Sequence, residues 1–118
     1  AEAAGASLVG RGTVYGVVRL IDIIKKAILH KGFSLVEAIT PCPTSYGRRN
    51  PEKAGTSGSE MIQWIQKNSI PLSKADRMPS AEIEGKIVTG IFVEKNEPEY
   101  TDEYEKIRQK ARAGLPSV

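Results

Sequence analysis

The 118-residue chain holds one cysteine, one histidine and one tryptophan, and only 6% of it is aromatic. Each scarcity removes a class of function. A single cysteine cannot form an internal disulfide and points to a reducing compartment, so a cytoplasmic protein is expected. With His30 as the only imidazole, a Ser–His or Cys–His nucleophile pair has one possible base, and that base falls at an exposed helix end. One Cys and one His cannot close a metal site within this chain. No apolar run approaches the span of a bilayer, and no charged-then-apolar signal opens the chain, so no membrane is expected. Gly-x-Gly-x-x-Gly after a strand, a phosphate loop ending in Gly-Lys-Ser/Thr and His-Glu-x-x-His are all missing. Gly10-Arg11-Gly12 is too short to stand in for them. The few aromatics do not interleave with a basic stripe, which disfavours nucleic acid.

What is present is an ordinary globular composition: 40% hydrophobic, 26% charged and a net charge of +3. That suits one domain or part of one, with a modest core. The charges alternate in sign except around Arg48, Arg49 and Lys53, a pattern that lends an acidic partner weak support and nucleic acid no more. The opening Ala-Glu-Ala-Ala-Gly-Ala has no methionine and reads as the last turn of a helix ending at Gly5, as in a fragment of a longer protein. Ser7 to Arg11 reads as a short strand. From Tyr15 to His30, apolar residues recur at three- and four-residue spacing and give a stripe broad enough to pack on a sheet. Lys25, Lys26, His30 and Lys31 suit the carbonyl end of that helix, and Gly32 stops it. Phe33 to Ile39 is a second strand, and the strand–helix–strand order implies a parallel, right-handed crossover.

Tyr46 to Gly58 reads as a long loop. A short amphipathic helix follows over Ser59 to Asn68, with Ser57 or Ser59 as cap and Met61, Trp64 and Ile65 inward. Turns of helix are expected near Lys74–Arg77 and Pro79–Ile83. A third strand spans Lys86 to Glu94, and a last helix Thr101 to Ala113, capped by Thr101, with a narrow stripe of Tyr104, Ile107 and Ala111.

The chain is organised around the loop Thr40-Pro41-Cys42-Pro43-Thr44, which follows the second strand. Two prolines fix the backbone on either side of the only thiol. Cys42 either ends a buried strand as a small apolar residue or presents sulfur at the carboxyl edge of a parallel sheet, where ligands collect.

Three stretches together carry a resemblance: Gly32-Phe33-Ser34-Leu35-Val36-Glu37, then Thr40-Pro41-Cys42-Pro43-Thr44, then Tyr46-Gly47-Arg48-Arg49-Asn50. They resemble the carboxyl-terminal half of the β subunit of 2-oxoacid:ferredoxin oxidoreductases. Ala3 to Val9 with Arg11-Gly12, Glu60 to Trp64, Glu84 to Ile87 and Glu97 to Thr101 extend the likeness over nearly the whole chain. The Gly-Arg-Arg-Asn form and the Pro-Glu-Tyr-Thr tail look most like the 2-oxoglutarate branch. The resemblance implies an α/β fold: residues 1–50 as the end of a three-layer, parallel-sheet, thiamine diphosphate-binding domain, and residues 51–118 as a carboxyl-terminal α/β extension. It also implies a CoA-dependent oxidative decarboxylation to an acyl-CoA and CO2. Thiamine diphosphate is held there through Mg2+, and electrons pass through 4Fe–4S clusters to ferredoxin. Cys42 matches the fourth cysteine ligand of the cluster nearest the thiamine, a role that suits a soft thiolate. Arg48 and Arg49 could stabilise an anionic cluster, face an acidic ferredoxin, or be solvated loop charges.

The chain also departs from that family. The other three cluster cysteines and the Gly-Asp-Gly…Asn segment for Mg2+ and diphosphate are absent, and Pro51–Gly58 looks longer than usual. No catalytic residue and no thiamine-binding residue is therefore assigned, and the chain alone is expected to be inactive. Its partners would be an α subunit and further subunits of the same enzyme. Two alternatives accompany this reading: a non-catalytic subunit-docking or assembly module of the same ancestry, and the pyruvate or branched-chain version of the enzyme.

Overall fold

In the computed structural model, which describes residues 1–114, strand β1 (Leu8–Thr13) carries helix α1 (Val17–Leu29) directly on its backbone. The reason lies in the alternation Leu8-Val9-Gly10-Arg11-Gly12. A Cβ at Gly10 would meet Ile23 Cγ2 at 2.7 Å, and one at Gly12 would meet Leu20 Cδ1 at 2.8 Å. Glycine on every second residue thus lets the helix settle on the strand, with Leu20 and Ile23 buried against it. Leu8 on the same face is fully buried, which stabilises the fold by about 1.5–3 kcal/mol.

After α1 the chain returns as β2 (Ser34–Ile39), parallel to β1 in register from Leu8 opposite Ser34 to Thr13 opposite Ile39. This is the expected parallel crossover. A 3-10 turn over Glu2–Ala4 precedes β1 and ends at Gly5 in the left-handed region, φ 91°, as the opening residues suggested.

Beyond β2 the expected long loop is in fact partly helical. A π-type turn covers Pro43–Gly47 and a single helical turn, α2, covers Pro51–Ala54, each with proline in its first turn. Proline there gives up a donor that has no intrahelical partner. Helix α3 (Gly58–Asn68) starts at the Ser57 cap and buries Met61 and Ile65, while Trp64 is half-buried. It ends at Asn68, before Pro71, and runs into a three-residue strand, β3 (Ser69–Pro71), that the sequence did not suggest. Two single-turn helices follow, α4 (Leu72–Ala75) and α5 (Ser80–Ile83), then β4 (Ile87–Glu94) and α6 (Tyr100–Ala113). Helix α6 is capped at Glu99, without a side-chain hydrogen bond, rather than by Thr101.

The sheet order is β2-β1-β4-β3, with β1–β2 and β3–β4 parallel and β1–β4 antiparallel. The result is a mixed α/β fold with a mostly parallel sheet. Strand β4 slots between β1 and β3, so the two halves divided at residue 50 share one sheet. Lys26 of α1 pairs with Glu94 of β4 at 2.7 Å, and Arg11 pairs with Glu37 on the opposite face. Both pairs are about half exposed and contribute only about 0–1 kcal/mol each. Among the described residues, no helix is long and apolar enough to cross a membrane.

Candidate metal centre

Strand β2 delivers the chain to the carboxyl edge of the sheet, and Cys42 stands three residues past its last residue, Ile39. The sulfur is exposed there and not buried in hydrocarbon, which removes the reading of Cys42 as a core residue. Pro43 then opens the π-type turn, closed by the Gly47 N–H donating to the Cys42 carbonyl at 3.0 Å. This turn directs backbone donors at the thiol. The Tyr46 N–H acts most strongly, followed by the Ser45 N–H and the Thr44 hydroxyl, 4.0 Å away, and together they hold the Cys42 pKa below the ordinary thiol value. Hydrogen bonds to the anion favour the anion, so the turn shifts Cys42 towards the thiolate, the form that ligates metals.

The turn is fixed from behind. Gly47 is buried, and a Cβ on it would lie 2.9 Å from the Gly55 carbonyl oxygen and 3.2 Å from Met61 Sδ. The Tyr46 ring sits 6.1 Å from Trp64 of α3, tilted by 44°, and the Asn50 side-chain amide donates to the Tyr46 carbonyl at 3.0 Å. Helix α3 is itself anchored by a capping box. Ser57 Oγ accepts from the Glu60 N–H at 3.2 Å, and the Glu60 carboxylate accepts from the Ser57 and Thr56 N–H groups at 3.0 Å. These bonds, the Ser57 N–H first, hold the Glu60 carboxyl below its usual range. The sequence Ser57-x-x-Glu60 signals such a box. The two donors that face the sulfur were not read from sequence; proline at the first position of a helical turn was the available signal.

Arg48, Arg49 and Lys53 are exposed, and none of them takes part in an ion pair among the described residues. They leave positive charge on the segment that carries Cys42, which favours an anionic ligand or partner. His30 lies elsewhere. It sits before β2 and Cys42 after it, with about 20 Å of strand between. The Ser7 hydroxyl donates to the Phe33 carbonyl at 3.1 Å, so His30 Nε2–H donates to Ser7 Oγ at 3.1 Å. No group of three or more His, Cys, Asp or Glu side chains is placed to hold a metal among the described residues, so Cys42 offers one ligand and no more. A cleft of about 740 Å3, lined by Thr13, Val17, Ile70, Leu72 and Thr89 among others, does not include it.

No family model matches the chain. It is 40% identical over 113 residues to the 2-oxoglutarate synthase subunit KorB of Methanocaldococcus jannaschii, covering 96% of this chain and 41% of that protein. The subunit of the same name from Methanothermobacter marburgensis is 40% identical over 111 residues, 93% of this chain and 38% of the relative. The 2-oxoacid:ferredoxin oxidoreductase subunit beta of Saccharolobus solfataricus is 48% identical over only 44 residues, 37% of this chain and 14% of its own length. The chain thus spans about two fifths of the curated relatives it matches along its length. Among solved structures, 2-oxoglutarate:ferredoxin oxidoreductase from Magnetococcus marinus, with 2-oxoglutarate, coenzyme A and succinyl-CoA bound, superposes with a TM-score of 0.68. The match covers 98% of this chain and 38% of that one at 20% identity, a likeness of fold.

Proposed function

We propose that this chain, whose homologues are β subunits of 2-oxoacid:ferredoxin oxidoreductases, forms part of such a subunit and supplies one cysteine ligand to an iron–sulfur cluster. The enzyme would convert 2-oxoglutarate and coenzyme A to succinyl-CoA and CO2 and deliver the electrons to ferredoxin. The observation that carries the reading is the exposed Cys42 sulfur at the carboxyl edge of β2, facing the N–H groups of Tyr46 and Ser45. Cluster iron takes thiolate sulfur, and hydrogen bonds to that sulfur help set the reduction potential.

The donor set fits one corner of a four-iron, four-sulfur cluster. The remaining three ligands, together with the groups that hold Mg2+ and thiamine diphosphate, belong to polypeptide outside this chain. When bound, the cluster supplies one-electron transfer away from the substrate. The residues described here do the holding. Pro41 and Pro43 fix the backbone, Tyr46, Ser45 and Thr44 lower the pKa of the sulfur, and α3 braces the turn through Gly47 and Met61. The arginine pair would counter the negative charge of a cluster or meet an acidic redox partner.

The 2-oxoglutarate version is favoured over the pyruvate or branched-chain one by extent of similarity. Subunits named for 2-oxoglutarate match 96% and 93% of the chain, against 37% for the broader 2-oxoacid enzyme. In the assembled enzyme, Cys42→Ala should lower iron and acid-labile sulfide by about one cluster's worth, four of each. It should also stop 2-oxoglutarate-dependent reduction of ferredoxin. Full iron content with normal electron transfer would overturn the assignment.

A further inference from the structure

Helix α6 buries none of its residues against the rest of the chain. Among the described residues its one ion pair beyond the helix joins Asp102 to Lys31 at 3.5 Å, with both side chains more than half exposed. A helix of 14 residues is marginal in water on its own. Its apolar residues are nevertheless ordered. Tyr100, Tyr104, Ile107 and Ala111 follow one another at intervals of four, three and four residues, so at 100° per residue they lie within about 60° of each other. The two tyrosine rings stack at 5.9 Å, and Tyr100, Tyr104 and Ile107 are 77%, 52% and 63% exposed. Such a spacing is the seam along which two helices pair, and this chain supplies one of them.

Charge decides which helix fits the seam. From residue 99 to 105 every charged side chain is acidic, and from 106 to 113 every one is basic, four of each. A second α6 laid alongside in parallel sets acid beside acid and base beside base. Turned end for end, it sets each half against its opposite. The same two-fold places Tyr100 across from Ala111 of the other copy and Tyr104 across from its Ile107, so that large and small side chains alternate along the contact. Glu103 and Lys110 flank the stripe on one side, and in an antiparallel pair these two positions meet, twice by symmetry. Lys110 takes part in no ion pair among the described residues.

We propose that α6 is a self-association surface whose occupant is α6 of a second copy of this chain, running antiparallel about a two-fold axis. With the axes about 8–10 Å apart along a helix about 21 Å long, the contact covers the stripe and little else. That is smaller than a standard interface, so the chain by itself should form a weak, reversible dimer. Helix α6 and the Cys42 turn share no residue, and iron enters none of the readouts below, so loss of the cluster assignment and loss of this surface are distinguishable.

Sedimentation equilibrium of the chain, carried up to millimolar concentration, is the test. The parent should pass from monomer to dimer. Ile107→Asp should weaken the dimer about tenfold or more, since one isoleucine leaves the seam in each copy. Gln109→Asp also introduces an aspartate in that half of the helix, but on the side opposite the stripe, and should leave the dimer unchanged. Glu103→Lys and Lys110→Glu should each weaken association by setting like charges against one another twice. An equimolar mixture of those two variants should associate as the parent does, because each then meets the opposite charge in the other. A parent that stays monomeric throughout overturns the proposal, and so does a dimer that Ile107→Asp leaves intact or a mixture that does not recover. Protection of the α6 amides from hydrogen exchange only on co-expression with the unmatched polypeptide of the Methanocaldococcus jannaschii relative would assign the stripe to the rest of the subunit and overturn the second copy as its occupant.

Discussion

Replacing Gly47 by alanine tests whether α3 holds the cysteine turn in place. The backbone at Gly47 is not in the left-handed region, so alanine adopts it without conformational strain and the cost is steric. The new methyl would sit 2.9 Å from the Gly55 carbonyl oxygen and 3.2 Å from Met61 Sδ. The thioether can rotate away, but the carbonyl belongs to the backbone and must be displaced. Overpacking of this kind costs about 1–3 kcal/mol. For a domain of this size that lowers the melting temperature by about 4–12 °C. The displacement also draws the Ser45 and Tyr46 N–H groups off the sulfur, so the Cys42 pKa should rise towards that of a free thiol. Gly58→Ala is the matched control, since a Cβ there meets nothing within 4 Å and the residue begins α3. Thermal unfolding followed by circular dichroism gives the first quantity, and the pH dependence of iodoacetamide alkylation gives the second. If Gly47→Ala melts with Gly58→Ala and alkylates like the parent, the bracing role of α3 is wrong.

Three further outcomes follow from the geometry. Alkylation of Cys42 in the parent chain should reach half its maximal rate below the pH of a free thiol, and Thr44→Val should move that midpoint upward; an unmoved midpoint would remove the hydroxyl from the site. Ser57→Ala should cost about 1 kcal/mol in urea unfolding by removing the α3 cap, with no loss expected for Ser59→Ala. The Glu60 carboxyl has a depressed folded-state pKa, so its stabilising share is present above the unfolded carboxyl pKa and disappears as pH falls through the folded one. Acid titration of a Glu60→Gln variant should therefore show less loss than the parent in that window.

The sequence made local features legible and left non-local ones hidden. The Ser57 cap, the termination at Gly5 and the β1–α1–β2 unit follow from neighbouring residues, and the structure has all three. The antiparallel insertion of β4 beside β1 joins residues about eighty positions apart, from Arg11 opposite Gly90 to Leu8 opposite Glu94, and no local pattern specifies it. The short β3 contains Pro71 and spans three residues, too few to establish an alternation. The 43–54 stretch misled through composition, because Gly, Pro and Ser suggest a loop while Pro43 and Pro51 actually start helical turns. For α1 the periodicity was correct in placing an apolar stripe on a sheet. Periodicity cannot separate Leu20 and Ile23, covered by this chain, from Ile21, Ile24 and Ile28, which this chain leaves open. At the site, the position of Cys42 past a parallel strand was readable from proline spacing and strand order. The N–H groups that lower its pKa depend on the turn that Gly47 allows.

The most direct measurement places a selenocysteine at position 42 of the assembled enzyme and records selenium-edge X-ray absorption of the purified complex. Iron in the first shell of the selenium is the result this account requires. A first shell of carbon alone, in a complex that retains its full iron, would contradict it.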